Sequence, residues 1–165
     1  MRKKFGVVAV QSQAGAENAM GGIAQAAADN IPILILLGGN SLDQISVKPN
    51  FSAVQKYQGW VKQVEAIYSP TQVGAVMRRA FNALKNGPPG PVVVEMTTDV
   101  CQQNVPEEYQ NYKSPSYSLQ VPDTNEIAKA IELWQKARKP VIWAGGGVLA
   151  SVSYTHLRAH ETETN

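Results

Sequence analysis

Three apolar runs and one alternating stretch punctuate the first hundred residues. Val7 to Val10 is β-branched and has no polar alternation, which predicts a buried strand. It breaks at Gln11 to Glu17, and an Ala-rich stretch from Ala16 to Ala28 with high helix propensity follows. Asn30-Ile-Pro32 ends that helix, and Ile33 to Leu37 predicts a second strand covered on both faces. Phe51 to Trp60 reads as a short helix, and Trp60 to Val64 alternates like an edge or half-exposed strand. Ser69-Pro-Thr-Gln72 is a helix start of the capping-box kind. Val73, Val76, Met77, Ala80, Phe81 and Leu84 then recur on one face. Asn86-Gly-Pro-Pro-Gly90 stops the helix, and Pro91 to Met96 is the next buried strand. This alternation predicts an α/β fold, a doubly wound parallel sheet.

The pattern changes at Thr97. Up to Pro122 the chain is rich in Gln, Asn, Tyr, Ser and Pro and reads as an extended linker. A second unit is expected from Asp123, which caps a helix with Ile127, Ile131 and Trp134 on its apolar face. Val141 to Ala144 would be its strand, and Gly145 to Gly147 a turn able to cradle a phosphate. The tail from about Val152 breaks the pattern and resembles adapter read-through, so it is expected to be foreign to the fold.

Composition removes several chemistries. The net charge is only +2, with scattered Lys and Arg, so neither a nucleic-acid footprint nor a polybasic membrane patch is expected. No apolar run approaches a membrane span. A single cysteine, Cys101, fits a reducing compartment, and the cytoplasm is the expected location. Both histidines, His156 and His160, lie in the tail, so the body of the chain holds no His-based catalysis or zinc site. Parallel sheets bind ligands at strand carboxyl ends, which makes Gln11–Asn18 the first candidate site. Glu95, inside a buried strand, is expected to have a raised pKa and a hydrogen-bonding role.

These motifs carry a resemblance. Ser12-Gln-Ala-Gly-Ala-Glu-Asn18, Gly-Pro-Pro-Gly-Pro-Val-Val-Val-Glu95 and Lys139-Pro-Val-Ile-Trp-Ala-Gly-Gly-Gly-Val148, in that order, resemble thiamine-diphosphate enzymes of the acetolactate synthase and 2-oxo acid decarboxylase type. The resemblance implies that residues 1–100 are the later part of a pyrimidine-binding domain and 101–122 a linker. Residues 123–151 would begin a Rossmann-like middle domain, and 152–165 would be a non-native tail. It implies cofactor-binding roles for Gln11, Ser12, Gly15 and Asn18. It also implies thiamine diphosphate and Mg²⁺ in a longer parent, a 2-oxo acid substrate, and a homodimer or tetramer.

The family's catalytic Glu falls before the position of Met1, and its metal-binding Gly-Asp-Gly…Asn motif beyond Asn165. No catalytic or metal-ligating residue is therefore assigned here, and the chain alone is expected to be inactive. The family usually has Ser-Gly-Pro-Gly where this chain has Ser12-Gln13-Ala14-Gly15. Gln11 stands where some decarboxylases place a substrate-facing His, and its neutral amide cannot shuttle a proton. The stretch after Gly38-Gly-Asn-Ser41 lacks the Arg of the flavin-dependent synthases, so FAD is not expected. The competing expectation is a non-catalytic α/β nucleotide-binding or interaction module using Gly145–Gly147.

Overall fold

A computed structural model of the chain describes residues 5–117, 121–143, 145 and 147–148. It divides into two units, one running from Phe5 to Ser118 and one containing the later described residues. Ala144, Gly146 and the whole tail lie outside the described residues, and so do the expectations placed on them.

The first unit is built on a four-stranded sheet in the order β1-β2-β4-β3, with every pair parallel. The strands are β1 (Gly6–Val10), β2 (Ile33–Gly38), β3 (Gln63–Ile67) and β4 (Val92–Met96). Helix α1 (Ala14–Ala28) links β1 to β2, α2 (Ala53–Tyr57) lies between β2 and β3, and α3 (Val73–Lys85) links β3 to β4. A single turn, α4 (Thr98–Cys101), follows β4.

The period-two alternation of the central strands sorts their side chains onto two faces. Leu34, Val92 and Val94 pack with Ile67 and with Val76, Ala80 and Leu84 of α3. Ile35, Leu37 and Val93 pack on the other face with Ala16 and Ile23 of α1 and Ala53 and Tyr57 of α2. Helices on both faces make the sheet doubly wound, as the alternation predicts. Tyr57 is fully buried, and its hydroxyl donates to Ala16 O (2.8 Å), joining α2 to α1. Helix α1 ends in a Schellman arrangement: Ile31 N donates to Ala26 O and Asn30 N to Ala27 O, with Asn30 at φ 54°.

Four sequence expectations need correction. β1 is a strand but not a buried one: it is the sheet edge, and Val7 is 58% exposed. An apolar run shows that a strand is favourable, not that both its flanks are occupied. β3 begins at Gln63 rather than Trp60, whose indole instead donates to Lys56 O at the end of α2. Ser69 gives no side-chain cap to the turn it opens, because its hydroxyl meets Thr71 Oγ1 (2.9 Å). Gln72 does reach back as a capping box requires, but accepts from Tyr68 N (2.9 Å). In the later unit, α5 (Thr124–Lys136) is capped by Asp123, which accepts from Asn125 N and Glu126 N as expected. Val141–Trp143, however, forms no strand. Among the described residues no other strand pairs with it, and a lone strand leaves its amides and carbonyls unmatched.

Residues 101–117 are mostly irregular, yet they lie against α3. The Tyr112 ring sits 5.9 Å from Phe81, and Lys85 Nζ donates to Ser114 Oγ (2.5 Å) and Pro115 O (2.8 Å).

Candidate functional site

The order of the strands selects one edge of the sheet. The chain advances from β1 through β2 to β3, then returns to place β4 between β2 and β3. After β2 it runs to α2, on the α1 face; after β4 it enters α4, whose Val100 is buried on the α3 face. Neighbouring strands whose outgoing segments part to opposite faces open a crevice at their carboxyl ends, the usual ligand position in such sheets. The turn at Gln11–Asn18 lies on this edge, after β1.

The expected site residues occupy the turn as follows. Gln11, first beyond β1, is exposed, and Ser12 is half-buried. Gly15 is in the first turn of α1, where an added Cβ would stand 2.5 Å from Gln11 Cγ. The Gln11 side chain therefore lies over Gly15, and glycine is what lets it fit. Asn18 follows Gly15 by three residues, one helical turn on, and is exposed. Ser12 is fixed by its backbone: a Cβ on Gly38 would meet Ser12 N at 2.9 Å, so the turn after β1 rests directly on the end of β2.

Sequence reading missed the residues that hold this edge together. Gln13 Nε2 donates to Asn40 Oδ1, Gln13 Oε1 accepts from Phe51 N (3.1 Å), and Asn40 Nδ2 donates to Phe51 O (2.9 Å). On the other side of β2, Gly39 N donates to Met96 O (2.7 Å), Thr98 Oγ1 to Gly39 O (3.0 Å) and Leu42 N to Asp99 Oδ2 (2.5 Å). The loop after β2 is thus tied to both neighbours. Parallel register gives one usable signal in advance, since it pairs Leu37 with Glu95 and so brings Gly39 near that carboxylate.

Glu95 bears out its expectation. It is 7% exposed, pressed by Gly39, where a Cβ would stand 2.9 Å from Glu95 Cγ. Its Oε2 accepts from Val54 N (3.4 Å) at the start of α2. Burial pushes its carboxyl up, and the Val54 and Ala53 amides only partly oppose that. Tyr68 stands near it: burial, and then the Glu95 charge, push its phenol up.

A groove of about 330 Å³ lies elsewhere, at the amino ends of β3 and β4, lined by Trp60, Lys62, Pro88, Pro89 and Pro91 among others. Lys62 Nζ is already engaged, donating to Ala83 O and to Asn86 O (2.6 Å) at the end of α3. That geometry makes it a helix cap. Cys101 is exposed at the end of α4. Among the described residues no group of three or more His, Cys, Asp or Glu side chains could hold a metal ion, and no helix is long and apolar enough to cross a membrane.

The side chains that the turn presents are neutral apart from Glu17. Gln11, Ser12 and Asn18 offer neutral amides and a hydroxyl, which match the ring nitrogens and amine of an uncharged heteroaromatic group. Among them there is no Lys or Arg to pair with a diphosphate.

Comparison with known proteins adds a likeness of sequence and of fold. Residues 1–66, which include the whole turn, match the family model described as "Thiamine pyrophosphate enzyme, N-terminal TPP binding domain". The chain is 30% identical over 177 residues to the acetolactate synthase large subunit of Buchnera aphidicola subsp. Schizaphis graminum, covering 98% of this chain and 29% of that protein. It is 30% identical over 167 residues to the acetolactate synthase isozyme 3 large subunit of Escherichia coli, covering 94% and 28%. The chain therefore spans under a third of the length of these relatives. Its fold is similar to part of a benzoylformate decarboxylase crystal structure from Polynucleobacter necessarius, with TM-score 0.72 and 23% identity, covering 83% of this chain and 26% of that one.

Proposed function

We propose that the chain is the pyrimidine-binding part of a thiamine-diphosphate enzyme of the acetolactate synthase type. The parent would make or break a carbon–carbon bond beside the carbonyl of a 2-oxo acid. The observation that carries this reading is that the segment matched to the family model contains the turn placed at the sheet's carboxyl edge.

Gln11, Ser12, Gly15 and Asn18 would hold the aminopyrimidine half of the cofactor. Gly15 leaves room for the Gln11 side chain to lie across the first turn of α1, and the amides and hydroxyl would orient the ring. Thiamine diphosphate, when bound, would supply a nucleophilic ylid carbon and a cationic ring that acts as electron sink for the adjacent carbanion. Gln11 would hydrogen-bond a carbonyl or carboxylate of the substrate without moving a proton. The diphosphate and Mg²⁺ would be held outside these residues, in keeping with a site completed by a second copy in a homodimer or tetramer.

Thermal unfolding with added ligand tests the reading, because a ligand that prefers the folded state raises the midpoint. The expected result is a rise in Tm with millimolar thiamine diphosphate and Mg²⁺, and none with ATP and Mg²⁺. A rise with ATP alone would overturn the proposal in favour of a nucleotide-binding module.

A further inference from the structure

Gln13 has a backbone that its residue type disfavours. Its φ is 55° and its ψ −118°, close to the first central position of a type II′ turn, where Gly, Asn and Asp are the usual residents. A long side chain stays in such a conformation only when its surroundings over-determine it. Here the constraint comes from the side chain itself. Both ends of its carboxamide are engaged, one with Asn40 Oδ1 and the other with Phe51 N, and Asn40 closes the ring by donating to Phe51 O. One cyclic network so joins the turn after β1, the loop after β2 and the entry to α2. Phe51 is 7% exposed, so its amide has little access to water as a substitute partner.

We propose that Gln13 is a positioning residue whose carboxamide locks the turn after β1 to Asn40 and Phe51, and thereby sets how Gln11 and Ser12 are presented. The inference rests on the function proposed above only for what those two residues face; the clasp itself exists without a ligand. Glycine at this position would fit the backbone and lose the clasp, while asparagine would tolerate the backbone but fall short of both partners. Glutamate would keep an acceptor for Phe51 N and lose the donor to Asn40.

Amide hydrogen exchange of the whole chain, followed by NMR, separates these cases. The Phe51 amide should exchange at least ~10-fold faster, relative to Val93 in the core, in Q13N and in Q13G. Q13E should restore Phe51 protection towards the unsubstituted rate. A residue that merely added stability would shift Phe51 and Val93 together. Unchanged Phe51 protection in Q13N, or a change matched by Val93, would overturn the proposal. Should Q13G fail to fold, Q13N with Q13E decides the matter alone. Absence of thiamine diphosphate binding by the unsubstituted chain would count against the function proposed above and leaves this prediction standing.

Discussion

The two ends of the sheet are built to different rules. At the amino end, Lys62 caps the last turn of α3 through the carbonyls of Ala83 and Asn86, and prolines line an open groove. These are devices that stop a helix and begin a strand. At the carboxyl end, three glycines (Gly15, Gly38 and Gly39) admit contacts closer than a Cβ would tolerate, an amide ring holds Gln13 in an unfavourable conformation, and a carboxyl group is buried. None of that is needed to form β2 or β4, whose apolar cores suffice. Strain and buried charge concentrated at one edge are what a site demands and a scaffold avoids.

The largest effect should come from filling the close approach at the carboxyl end. Gly38→Ala would drive a Cβ to 2.9 Å from Ser12 N, a backbone atom that cannot swing aside. Urea denaturation should show a loss of about 2–3 kcal/mol. Gly39→Ala should destabilise as well, because its Cβ would stand 2.9 Å from Cγ of the buried Glu95 and 3.2 Å from Met96 O, a backbone atom. At the amino end, Lys62→Met keeps the aliphatic stem and removes the ammonium from two helix-end carbonyls. The same assay should register about 1 kcal/mol. Equal losses at Gly38 and Lys62 would erase the distinction between the ends.

The smallest effect is a slope. Burial raises the Glu95 carboxyl in the folded chain above its unfolded value. Between those two values the folded state holds a proton that the unfolded state has released, so stability falls as pH rises. The contribution is complete below the ordinary glutamate value and gone above the raised one. Stability against pH measured for Glu95→Gln should lack this decline, and an unchanged slope would show that Glu95 ionises freely.

Much of the scaffold was legible because its signals are local. Ile33 to Leu37 and Val92 to Met96 are strands, and the Val76, Ala80, Leu84 face of α3 is buried. Asp123 caps α5, and the burial of Glu95 follows from its place in an apolar run. Legibility failed where a partner decides the outcome. Val7 to Val10 and Val141 to Trp143 have the same strand composition; the first pairs with β2 and forms, and the second, without a described partner, does not.

The turn at Gln11–Asn18 could be located from strand, turn and helix signals, but its bracing could not. Asn40 and Phe51 lie 27 and 38 positions from Gln13, and no spacing rule joins three amides across such distances. In the sequence Gln13 stands out only as a departure from the Gly of the family's usual turn; the structure gives it a task.

The decisive measurement is an NMR titration of the chain with thiamine diphosphate that watches both ends of the sheet at once. The amides of Gln11, Ser12, Gly15 and Asn18 should shift, while those of Trp60, Lys62 and Gly90 at the amino end stay still. Shifts confined to the amino-end groove, with the turn after β1 unmoved, would contradict the proposed function.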